Sequence, residues 1–132
     1  MKGKILISSP NLLTDMIFYK SIILLVDESS DGHTGFILNR PGGILFMKNE
    51  THTPSKKFKF NFGGPVSDQT FFIINKQIKN LEVSWVENSI YWGNNVQTAI
   101  EFINNGKISL NDIIFFQGYS GWDSEQLESE IK

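Results

Sequence analysis

Cysteine is absent from this chain of 132 residues. No disulfide frame, thiolate metal site or cysteine nucleophile can therefore be built. The absence suits a reducing compartment, so a cytoplasmic location is expected. Histidine is scarce: only His33 and His52 occur, with neither H-x-x-x-H nor H-E-x-x-H spacing, so no metal site is expected. Both are read as exposed turn residues. An excess of positive charge is also missing. The net charge is −2 and the pI about 5.6, which argues against direct DNA binding through a broad basic field. The first apolar run, Ile5-Leu6-Ile7, is broken at once by Ser8-Ser9-Pro10, too soon for a signal-peptide core or a membrane span. No phosphate-cradling P-loop, G-x-G-x-x-G fingerprint or internal repeat is present, and no cofactor is expected.

What is there is an ordinary globular composition, 40% hydrophobic and 20% charged, with 11 Phe. The length fits one domain, 1–132, that buries roughly two thirds of its unfolded surface. Lys4–Ser8 reads as a strand stopped by Pro10. Ser21–Val26 is a continuous apolar run of strand length, the pattern of a strand covered on both faces. Asp27–Gly32 is turn chemistry, and Gly35–Leu38 completes a hairpin. Residues 44–55 read as irregular. Lys57–Phe62 alternates at period two and aims three Phe at one face. Further strands are expected at Phe71–Ile74, Ser89–Trp92 and Asp112–Gln117. The best helix is Asn94–Asn105: Val96, Ala99, Ile100 and Ile103 share one face, Asn94 is the candidate N-cap and Gly106 the stop. A short helix is expected over Asp123–Ile131. Hairpins plus one strand–helix–strand stretch predict an α+β fold with a mixed sheet, or a three-layer α/β arrangement.

Three glycine-rich or charged strand ends carry the candidate chemistry. Asn39-Arg40-Pro41 places a planar guanidinium just before a residue of fixed φ. It is either an anion-binding arginine or one that locks the turn internally, with Asn39 bonded to backbone. Gly63-Gly64-Pro65 allows backbone N–H groups to approach a ligand, or simply packs under another loop. Gly118-Tyr119-Ser120-Gly121-Trp122 reads as a sharp turn between the last strand and the last helix. Tyr119, Trp122, Gln126 and Glu128 could line a pocket there, or Trp122 could plug the core. Ser120 does not stand in G-x-S-x-G, so a serine hydrolase is not expected. Lys56-Lys57-Phe58-Lys59-Phe60 interleaves bases and aromatics but is what any strand with one wet face shows.

In order along the chain, these pieces resemble the YqgE/AlgH family. The matching segments are Gly3–Pro10, Phe18 with Ser21–Val26, and Gly32, Gly35, Leu38, Asn39, Arg40 and Pro41. Gly63–Val66, Gly118–Trp122 and Gln126–Ile131 follow. The resemblance implies a curved or barrel-like sheet wrapped by helices and no established catalytic activity. It also carries a transcriptional-regulator label, through a link to alginate production. The chain departs from the family pattern at Glu28 and His33, where a His and an Ala are usual, and at Thr70 and Asn75, where an Arg and a His are usual. Family members run on past the Glu-Ile pair, so the chain reads as a shortened member or a fragment. Leu127 and Ile131 would then be free for self-association.

The expected role is that of a non-enzymatic binding or regulatory protein. It would meet an unknown protein or a small anion through Asn39, Arg40, Gly63, Gly64, Tyr119, Trp122, Gln126 and Glu128. The alternative is an enzyme in which Asp27, Glu28 or Glu128 acts as a base beside Arg40.

Overall fold

A computed structural model describes residues 2–7, 21–30, 32–47 and 56–123 of the chain. Within them nine strands and one α-helix form. The strands are β1 (Ile5–Ile7), β2 (Ile22–Ser29), β3 (Gly32–Ile37), β4 (Pro41–Met47), β5 (Lys56–Phe62), β6 (Val66–Ile74), β7 (Ser84–Glu87), β8 (Ile90–Gly93) and β9 (Ile113–Trp122). The helix is α1 (Val96–Asn104). The main sheet runs β1-β2-β3-β9-β6-β8-β7, with β4 and β5 attached beside β9. It curls into a half-barrel with α1 packed on one face, an α+β fold.

The apolar run in β2 is covered on both faces as its pattern predicts: Ile23, Leu24, Leu25 and Val26 are all buried. Leu24 and Val26 join Phe36, Phe71, Phe116 and Val86 in one cluster, whereas Ile23 and Leu25 join Ile37 and Trp122 in another. A third cluster lies under α1, where Val96, Ala99, Ile100 and Phe102 meet Phe58, Phe60, Phe72, Ile74, Ile113 and Phe115. Of the three Phe that β5 aims at one face, Phe58 and Phe60 are in this cluster. β8, α1 and β9 form the strand–helix–strand stretch. Both strands pair antiparallel with β6, which lies between them. The helix N-cap is Asn95 rather than Asn94: the Asn95 side chain accepts from Thr98 N–H at 3.2 Å.

Several sequence expectations shift. Residues 27–29 are strand, because β2 pairs with β3 as far as Ser29 opposite Gly32. Residues 44–47 belong to β4, held by pairing with β5. β7 escaped notice because four residues reading Ser-Trp-Val-Glu carry little pattern of their own. The largest correction concerns Gly118–Trp122, which is not a turn. β9 continues through it to Trp122. Phe116, Gly118, Ser120 and Trp122 are buried in strict alternation, the mark of a strand. Gly118, at φ 76°, stands opposite a bulge in β6, where residues 67–69 intervene because Val66 pairs with Tyr119 but Thr70 pairs with Gln117. The helix expected over Asp123–Ile131 lies outside the described residues.

A short 3-10 turn, Leu110–Asp112, leads into β9 and is tied to the end of β6. Lys76 Nζ lies 2.9 Å from Asp112 Oδ2, and Asn75 Nδ2 donates to Oδ1 at 3.1 Å. Hydrogen bonds from Lys76 and then Asn75 hold the Asp112 carboxyl below its ordinary value. The folded value is the lower one, so this tie stabilises the fold above the ordinary aspartate range. That stability is lost as pH falls through the folded value. Asp112→Asn should therefore flatten the acid limb of a pH–stability curve below about pH 4. An acid limb identical to the parent's would show that the tie contributes nothing.

Candidate functional site

Two of the strand ends singled out in the sequence meet at Gly63, and the third is bonded to the residue before it. On one edge β9 pairs with β6; on the other it pairs first with β5, through residues 115–117, and then with β3, through residues 120–122. Gly63 sits where β5 gives way to β3. Its N–H donates to the Gln117 carbonyl at 2.9 Å, and its carbonyl accepts from Ile37 N–H at 3.0 Å and from Ser120 Oγ at 3.2 Å. A Cβ on Gly63 would strike the Gly118 carbonyl, and one on Gly64 the Tyr119 carbonyl. Gly63 and Gly64 are buried, so the two glycines make a close backbone crossing. Ser120 is fully buried, with its hydroxyl engaged at Gly63.

Beside this crossing lies the Asn39-Arg40-Pro41 segment. Asn39 Oδ1 accepts from Ile22 N–H at 2.9 Å, and Leu38 N–H donates to the Ile22 carbonyl at 2.7 Å. The Arg40 carbonyl accepts from Phe62 N–H at 2.9 Å, and Pro41 pairs with Asn61. Arg40 is half-buried where the chain leaves the half-barrel for the β4–β5 arm.

Asp27, Glu28 and Trp122 do not share that corner. They lie toward the far end of β3, which is roughly 17 Å long at ~3.3 Å per residue. There Glu28 pairs with His33, and His33 with Trp122. Trp122 is core, packed with Ile23, Leu25 and Ile37. Tyr119 is half-buried, its ring edge-on to Phe71 at 5.7 Å. Glu128 and Gln126 lie outside the described residues. The carboxylates Asp27 and Glu28 are thus separated from Arg40 by the length of a strand, which does not assemble the acid–base pair of an enzyme.

His33 corrects the sequence reading most directly. It is buried in β3 rather than exposed in a turn, and its Nε2 lies 3.6 Å from Glu28 Oε1. The signal was available: counting back by twos from Ile37 puts Gly35 and His33 on its inward face. The Glu28 carboxyl is held below its ordinary value, first by a hydrogen bond from the chain's α-amino group and that group's charge, then by Lys2 N–H and His33. A further polar hollow of about 470 Å³ was not read from the sequence. It is lined by Gln69, Thr70, Glu82, Asn94 and Asn95 at the start of α1. Among the described residues no cluster of three or more His, Asp or Glu is placed to hold a metal, and no helix is long and apolar enough to cross a membrane.

The chain matches the family described as AlgH-like over residues 5–132. A UPF0301 protein of Cytophaga hutchinsonii is 36% identical over 135 residues, covering 99% of this chain and 72% of the relative. One of Bacteroides fragilis is 35% identical over 137 residues, covering 99% and 67%. The solution structure of AlgH from Pseudomonas aeruginosa superposes with a TM-score of 0.73 at 22% identity, over 96% of this chain and 70% of that one. A crystal structure from Corynebacterium diphtheriae gives 0.71 at 16% identity, over 98% and 70%. At those identities the two structures show the fold alone.

Proposed function

This chain belongs to the YqgE/AlgH family, and we propose that it is a non-enzymatic binding or regulatory protein whose contact surface centres on Arg40. The observation that carries this reading is how Arg40 is held. Its carbonyl is bonded to Phe62 N–H, and its neighbour Asn39 is bonded to Ile22 N–H. A backbone anchored from both sides fixes where the side chain departs, and its planar fork suits a carboxylate or phosphate. The favoured partner is a protein bearing an acidic group, or a small anion. A regulatory role would run through such a partner rather than through DNA, because a net charge of −2 supplies no broad basic field. The reading requires no cofactor and fits a cytoplasmic protein without cysteine.

The test is an NMR titration of the parent and Arg40→Ala with sodium phosphate and with a short Glu-rich peptide. Saturable shifts at residues 38–42 and 61–64 are expected in the parent and absent in Arg40→Ala. The melting temperature of the variant should stay within about 2 °C of the parent's. A fall of several degrees, with no saturable shift in the parent, would assign Arg40 to the fold and end this reading.

A further inference from the structure

His33 is 8% exposed, and among the described residues neither Nδ1 nor Nε2 has a hydrogen-bond partner. Buried polar atoms are nearly always paired, so an imidazole with two unanswered nitrogens requires a physical reason. Its facing counter-charge is Glu28, with Oε1 3.6 Å from Nε2, too long for a hydrogen bond to a neutral ring. The two residues oppose each other across β2 and β3, and His33 opposes Trp122 across β3 and β9. Glu28, His33 and Trp122 therefore lie side by side across three strands where the β2–β3 hairpin tip meets the end of β9.

We propose that His33 and Glu28 form a proton-operated latch, which fastens β2 to β3 at the hairpin tip, where β3 pairs with the end of β9, when the imidazole is protonated and loosens it when the ring is neutral.

The neutral ring carries one N–H and one lone pair, both without a partner among the described groups. Protonation turns both nitrogens into donors and sets a positive charge against a carboxylate. Closing the 3.6 Å gap then makes a charge-assisted hydrogen bond. Burial works the other way, because it disfavours the charged ring. Each state thus carries a cost, and proton concentration sets the balance between them. Glu28 is ionised in both, because its carboxyl is held below its ordinary value.

Charges of both signs stand on the neighbouring elements. Asp27 precedes Glu28 on β2, and Asp123 follows Trp122 at the end of β9. A Cβ on Gly32, the residue before His33, would lie 3.0 Å from Asp123 Cα. On the β1 side, Lys2 directs its Nζ over the Trp85 ring at 5.5 Å, and its N–H donates to the Glu28 carboxylate.

Amide hydrogen exchange at pH 5.5 and 7.5, corrected for intrinsic rates, reads the latch. Protection at residues 32–35 and 121–122 should be about tenfold higher at pH 5.5, the effect of one charge-assisted hydrogen bond. Residues 72–74 in β6 should show no such change. Glu28→Gln, at a largely exposed side chain, should fold normally and abolish the difference. His33→Gln should abolish it as well. A parent with equal or lower protection at pH 5.5 would overturn the latch. So would a Glu28→Gln variant that keeps the parent's pH response.

Discussion

Replacing Gly64 by alanine should cost at least about 4 kcal/mol, a large fraction of the roughly 5–15 kcal/mol that holds a domain folded. The added Cβ would overlap the Tyr119 carbonyl and the Ser120 nitrogen, all of it backbone. Neither side can retreat, because the neighbouring Gly63 is bonded to both Gln117 and Ile37. Gly64 also stands at φ 155°, which an L side chain rarely adopts. Gly121→Ala, in the facing strand β9, is the control. Its Cβ would first meet the Tyr119 ring at 3.5 Å, an ordinary contact, so a change under about 1 kcal/mol is expected. Urea denaturation of both variants checks the pair. A Gly64→Ala midpoint near that of the parent would mean that the crossing of β5 and β9 is not as close as described.

The second large effect is expected at Phe36, whose truncation to alanine should cost about 3–5 kcal/mol. Phe36 is fully buried in the interior of the half-barrel. It stacks on Phe116 at 4.8 Å and 15°, with Phe71 at 5.4 Å and Trp92 at 6.0 Å. Four rings from β3, β6, β8 and β9 thus share one contact point, so the cavity left behind is walled by aromatic groups that cannot collapse far. The denaturation midpoint should fall while the slope stays that of the parent. A loss below about 1 kcal/mol would show that the four rings repack around the gap.

Both predictions bear on function through position. The crossing at Gly63 and Gly64 sets where Arg40 sits relative to β9, and the Phe36 cluster holds β3 between Arg40 at one end and His33 at the other. The two functional proposals therefore concern opposite ends of one strand and can fail independently. Loss of anion binding in Arg40→Ala would leave the latch untouched, and a flat exchange profile would leave the Arg40 surface standing.

Much was legible in the residues alone because it depends on neighbours in sequence. The buried run of β2, the two-residue alternation of Phe58 and Phe60, and the apolar stripe of α1 are local patterns, and each appears in the fold where it was expected. The ordered glycine, proline and Asn-Arg motifs identified the family. Asn39 was read with a backbone-bonded alternative, and that is the bond it makes.

The tertiary structure decided the rest, because pairing partners lie far away in sequence. Gly118–Trp122 looks like a turn when only its glycines are counted. It is strand because β3 and β6 line its two edges and a bulge in β6 opposite Gly118 takes up the irregularity. His33 looks exposed because Asp31 and Gly32 precede it, yet pairing with Glu28 and Trp122 buries it. Composition and local pattern determined which segments could be strands and which family they belong to. Only long-range hydrogen bonding determined which glycines touch, that Arg40 and Glu28 stand a strand's length apart, and that a lone imidazole faces a carboxylate.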